Sequence, residues 1–113
     1  MRHEDSEYLA YAARSIEYVF EWTAAGREHF LTDRRTQAAV LYRLQTLTQA
    51  LRDLTPERRK RYPEVPFREM SGFRNVLVHD FIGLDMGVVW NVVEKHLPPL
   101  RPQVARMIAE LDA

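Results

Sequence analysis

The sequence predicts an all-α protein, a bundle of four to five helices, from three observations. Apolar residues recur at three- and four-residue steps through most of the chain. No segment alternates apolar and polar residues long enough to argue a strand. Helix-starting and helix-stopping residues fall between the periodic stretches, at Gly26, Thr32-Asp33, Thr55-Pro56, Pro66, Asp85 and Pro98-Pro99.

The first helix carries Leu9, Ala12, Ile16, Val19 with Phe20, and Thr23 on one side, and Gly26 can stop it. The second is sharper: Val40, Leu44, Leu47, Leu51 and Leu54 step as a helix packed along a bundle seam does, with Thr32 and Asp33 as its start. Thr55 reads as an N-cap with Pro56 in the first turn, opening a short basic helix, Arg58-Arg59-Lys60-Arg61, that ends at Tyr62-Pro63. Pro66 opens a third long helix, apolar at Phe67, Met70, Phe73 and Leu77, which ends between His79 and Gly83. Asp85 caps a fourth, with Met86, Val89, Trp90 and Val93, which Pro98-Pro99 is expected to stop. A last helix from about Leu100 to Leu111 places Val104, Met107, Ile108 and Leu111 on one side. Trp22 and Trp90 both stand at core spacing and read as packing residues.

At 113 residues the chain is expected to form a single helical domain over 1–113. A chain of this size buries roughly two thirds of its unfolded surface, so one modest core is available. Its 16 basic and 16 acidic residues cancel, so no global field draws in nucleic acid and any RNA contact must be local. The absence of cysteine excludes disulfides, thiolate metal sites and cysteine nucleophiles. The charged start, Met1-Arg2-His3-Glu4-Asp5, does not read as a secretory signal. The most apolar window, Val76 to Val93, contains His79, Asp80, Asp85 and Asn91 and would not span a bilayer. The cytoplasm is the expected location.

The residues with the clearest chemistry are Arg74, Asn75 and His79. Arginine offers phosphate a planar fork of donors, and histidine can pass protons near neutral pH. On an ideal helix Arg74 and His79 lie ~140° apart, so they do not share a face, whereas Asn75 and His79 do. A long arginine side chain, a loosened helix end or a two-fold dimer could each bring the groups into one cleft. With an RNA substrate, His79 would take the proton of a ribose 2′-hydroxyl and Arg74 would stabilise the phosphorane-like transition state. Asn75 would orient His79 or hold a phosphate oxygen. The scattered His3, His29 and His96 support no metal site, and no cofactor is expected. Structural readings stand beside these: a histidine in a last helical turn complements the dipole, and a basic run is often a solvated helix end. The functional reading of Arg58, Arg59, Lys60 and Arg61 is a phosphate-gripping patch, with Tyr62 for stacking.

The run from Tyr62 to Met70, then Gly72-Phe73-Arg74-Asn75-Val76-Leu77-Val78-His79, Gly83-Leu84-Asp85, Val89-Trp90 and Leu97-Pro98-Pro99-Leu100, resembles the HepT-like branch of the HEPN superfamily. The similarity extends over nearly the whole chain, and in the first two helices it is mainly one of pattern. The resemblance implies a HEPN-like helical bundle that forms a two-fold homodimer, and metal-independent RNA cleavage by Arg74 and His79 with Asn75 as the polar residue of the motif. It also implies a toxin paired with a minimal nucleotidyltransferase antitoxin. Two positions depart from the family pattern. Phe81 stands where the family has a tyrosine that the partner can adenylylate, so this position cannot be modified. Thr48-Gln49-Ala50 stands where the family has a glycine-glutamate-alanine step. An adduct, if made, would need another hydroxyl, such as Tyr62 or Ser71. The alternative expectation is a non-catalytic HEPN-type module that dimerises and docks a nucleotidyltransferase.

Overall fold

A computed structural model describes residues 3–112; Met1 and Arg2 of the charged start lie outside the described residues. Among those residues the protein is all helical, in the order α1 (Asp5–Trp22), α2 (Arg27–Thr32), α3 (Arg34–Arg52), α4 (Pro56–Lys60), α5 (Phe67–His79), α6 (Met86–Asn91) and α7 (Leu97–Ala109). A 3₁₀ turn, Phe81–Gly83, follows α5, and a π-helical turn, Val92–His96, joins α6 to α7. The helix boundaries follow local chemistry. Glu4 and Glu7 form a reciprocal capping box at the start of α1. Asp33 accepts the Arg35 N–H, Thr55 accepts the Arg58 N–H, and Asp85 accepts the Gly87 N–H.

The long helices α1 and α3 pack along each other, with α7 against α1 and α5 against α3. Between them Leu9, Ile16, Val19, Leu44, Leu47, Leu51, Leu54, Val104 and Met107 are all but fully buried. Each buried aliphatic chain contributes roughly 1.5–3 kcal/mol, so a charge at Leu47 or Leu51 would open the α1–α3 seam. The buried hydroxyls of Ser15, Thr23 and Thr48 donate to the carbonyls of Tyr11, Val19 and Leu44, so none is stranded.

Four details differ from the sequence reading. A short helix, α2, fills the segment after Gly26, whose φ of 98° lets the chain turn into it. Pro98 and Pro99 do not stop the helix begun at Met86. They occupy the first turn of α7, and the helical course continues through the π turn, where the Leu97 N–H bonds to the Val92 carbonyl. The wider turn makes room for proline rings that would collide with a regular preceding turn. Ile108 faces solvent rather than the core. Trp22 is also a surface residue, 36% exposed and stacked on Tyr18, whereas Trp90 packs against Phe30 beside the core.

Candidate ribonuclease site

Helix α5 carries Arg74, Asn75 and His79, and its two ends meet different surroundings. Its apolar side, with Leu77 buried and Phe67, Met70 and Phe73 packed on the core, sets the rotation of the helix. That rotation turns Arg74 towards α3 and α1. There it lines a groove of about 400 Å³, with Tyr8 and Tyr11 of α1 on one wall and Thr46 and Gln49 of α3 on the other. The Arg74 Nε is buried and has no partner, and its Nη1 donates to the Asn75 Oδ1 at 3.2 Å. The Asn75 carbonyl oxygen is therefore held towards the arginine.

The Gln49 Oε1 is also buried without a partner, while its Nε2 donates to both Asp53 carboxylate oxygens at 3.0 Å. Both unpaired atoms are shielded from solvent, so what Arg74 and Gln49 present to the groove is the rest of their side chains, beside the rings of Tyr8 and Tyr11.

His79 closes α5 at its C-terminal end and is exposed, with no hydrogen-bond or ion-pair partner among the described residues. Nearby in the chain Val76 is 39%, Phe81 63% and Ile82 92% exposed, and Val88 of α6 is 52% exposed. Phe81 lies in the 3₁₀ turn directly after the helix. The structure brings Arg74 and Asn75 together but does not draw His79 into the Arg74 groove within one chain.

The basic run is divided. The Arg58 Nε meets Asp5 at 3.4 Å and the Arg59 Nε donates to the Leu54 carbonyl, so both guanidinium groups serve the α3–α4 corner. Lys60 and Arg61 are exposed. Tyr62 is 2% exposed and donates its hydroxyl to Glu110 at 2.8 Å, so it cannot stack on a base as the sequence suggested. Burial, then the bond to Glu110, pushes the Tyr62 phenol above its ordinary range.

Asp5 shows the opposite balance: burial pushes it up, but the Thr55 N–H and hydroxyl and Arg58 outweigh that and hold it below the usual 3.8. Among the described residues no group of three or more His, Asp or Glu is placed to hold a metal ion, and no helix is long and apolar enough to cross a membrane.

The sequence singled out Arg74, Asn75 and His79 but missed Gln49 as a groove wall and Tyr8 and Tyr11 altogether. The α1 stripe Tyr8, Tyr11, Ser15, Tyr18, Trp22, at steps of three and four, was the available signal.

The fold is that of a small all-α protein, with Arg74, Asn75 and His79 on one helix. The family model described as ribonuclease HepT-like matches residues 10–107, and the chain belongs to that family. A Thermococcus cleftensis protein named "Probable ribonuclease HepT" is 32% identical over 95% of this chain and 98% of its own length. A Methanocaldococcus jannaschii protein, named as a gamma-glutamylcyclotransferase and candidate RNase, is 33% identical over 99% of this chain. The chain spans about half, 51%, of that relative's length. A candidate RNase of Caldanaerobacter subterraneus is 26% identical over 89% of this chain and 91% of its own. No solved structure matches it significantly.

Proposed function

We propose that this chain is an endoribonuclease toxin that cleaves RNA without a metal, at a site assembled when two copies of one helical domain meet about a two-fold axis. The observation that carries the reading is the state of His79. It stands exposed at the end of the helix that bears Arg74, with no partner among the described residues, and Phe81 and Ile82 of the turn that follows are exposed as well. Exposed apolar patches mark association surfaces, and an isologous contact through this one would set two His79 side chains and two α5 helices against each other. Membership of the HepT-like ribonuclease family supports RNA as the substrate.

In this mechanism a neutral His79 takes the proton of a ribose 2′-hydroxyl, and the freed oxygen attacks the adjacent phosphorus. The bond to the 5′-oxygen breaks, and that oxygen takes a proton from the partner's His79, leaving a 2′,3′-cyclic phosphate and a 5′-hydroxyl. Arg74 binds the non-bridging oxygens as charge gathers on them, with Asn75 steadying the guanidinium. Phe81 offers no hydroxyl, so a nucleotidyltransferase antitoxin would have to silence the toxin by a route other than modification of that residue.

The test is incubation of purified protein with tRNA and mRNA in chelator at about pH 6–8, where a histidine can serve as base. Fragments ending in 2′,3′-cyclic phosphate are expected. RNA left intact under all these conditions would overturn the reading.

A further inference from the structure

The surface between α1 and α3 holds an uninterrupted series of ring and guanidinium contacts. Trp22 and Tyr18, one helical turn apart, stack with centroids 5.4 Å apart and planes 8° from parallel. The Arg43 guanidinium lies 4.8 Å from the centroid of Tyr18 and 4.8 Å from that of Tyr11. The Tyr11 hydroxyl accepts from the Arg43 Nη1 at 3.2 Å and donates to the Thr46 hydroxyl, which fixes the ring. Tyr11 is in turn a wall of the groove that Arg74 enters. At 1.5 Å per residue the stripe from Tyr8 to Trp22 runs about 20 Å along α1, long enough for several nucleotides.

We infer that this ladder is a stacking track for single-stranded RNA, guiding the strand along the α1–α3 face into the groove beside Arg74. Two features argue for a base-bearing ligand. Trp22 and Tyr18 leave ring surface in water at 36% exposure each, already parallel as a stack requires. Base–aromatic stacking accepts any base and is strengthened by cation–π contact from arginine. The second feature is the Arg43 guanidinium, 4.8 Å from the ring centroids of both Tyr11 and Tyr18, which sets a cation within the ladder.

Charge along the track is mixed. Arg43 lies against the rings, Glu7 and Asp53 line the groove with Arg74, and Glu17 is drawn to Arg101 at 2.6 Å. Binding here therefore rests on stacking more than on phosphate neutralisation, and its salt dependence is shallow, with a slope near that of about one or two phosphate contacts.

The inference rests on the ribonuclease reading for its ligand, and the experiment separates the two. The probe is a 2′-O-methyl oligouridine, which keeps its bases but cannot be cut by 2′-oxygen attack. In a Trp90→Phe background, Trp22 is the sole tryptophan, and the substitution strands no hydrogen bond because the Trp90 Nε1 has no partner. Its fluorescence should be quenched on titration with the oligonucleotide. In the otherwise native chain Trp22→Ala should raise the dissociation constant roughly ten-fold, as the loss of one stack does, and Tyr18→Ala should act similarly. Circular dichroism should be unchanged.

If the native protein cuts RNA but Trp22 emission ignores the oligonucleotide and both variants bind as tightly as the parent, the track is wrong and the ribonuclease reading stands. If Trp22 emission shifts with protein concentration instead of oligonucleotide, the face is a contact between copies and the track is likewise overturned. A native protein that neither binds nor cuts RNA overturns both.

Discussion

The basic helix α4 and the single arginine of α5 put positive charge to opposite uses. In and just after α4 four basic residues stand together in the sequence, yet Arg58 is tied to Asp5 and Arg59 to a backbone carbonyl. In α5 Arg74 has no carboxylate partner among the described residues and lines a groove, while a buried unpaired nitrogen is common to it and to Arg58. Density of charge in a sequence is therefore a poor guide to function here. An arginine paired with a carboxylate holds the protein together, and one that lines a groove without such a pair is available to a ligand.

The sharpest way to break this contrast is to remove each arginine and read both rate and stability. Arg74→Ala and His79→Ala should each lower RNA cleavage by about 10²–10⁴-fold with the melting temperature unchanged. Arg74→Lys should recover little, because an ammonium lacks the planar fork. Mixing the Arg74→Ala and His79→Ala proteins should restore part of the activity if the site spans a two-fold axis. The mixed dimer keeps one His79, so recovery should fall well short of the parent, and full recovery would overturn the acid role given to the partner's His79.

The α4 side should respond in stability alone. Asp5→Ala removes the acceptor for the Thr55 N–H, the Thr55 hydroxyl and the Arg58 Nε at once. With hydrogen bonds to a charged group at stake, the cost is about 2 kcal/mol, or a melting temperature lower by roughly 8 °C. The turnover of the remaining folded protein should be that of the parent.

The same carboxylate sets a pH dependence. Its folded-state pKa lies below the ordinary 3.8, so the folded protein releases this proton more readily than the unfolded chain. The stabilisation is then fully present above that value and is lost as pH falls through the folded-state pKa. The gap in melting temperature between parent and Asp5→Ala should be wide near neutrality and should close at the acid end. A gap that stays constant from neutrality into acid would show that Asp5 acts by packing rather than by charge.

Much of the fold was legible because single residues carry it. Asp33, Thr55 and Asp85 cap the helices they were expected to cap, and the seam from Val40 to Leu54 is buried throughout. Where the reading failed, two local rules conflicted or a tertiary contact decided. Proline stops a helix in mid-course but is at home in a first turn, and the π turn converted one situation into the other at Pro98. Tyr62 follows a solvated basic run yet is buried because Glu110, from α7's far end, receives its hydroxyl. At the site, Arg74 and His79 could be found from their chemistry along one helix. That Arg74 shares a groove with Tyr8 and Gln49 could not, since nothing local pairs residues so distant in the chain.

The smallest effect is expected at the exposed end of the basic helix, and it decides how far the contrast holds. Lys60 lies in solvent, where a side chain gains little from neighbours and can still meet phosphate. If it holds RNA, Lys60→Gln should weaken binding of the oligonucleotide uniformly across sequences and reduce the salt slope by about one. The cleavage rate of the bound RNA should not change, because a phosphate contact away from the scissile bond stabilises ground and transition states alike. A salt slope identical to the parent's would leave the whole of α4 structural, and would confine nucleic-acid contact to the helices that flank Arg74.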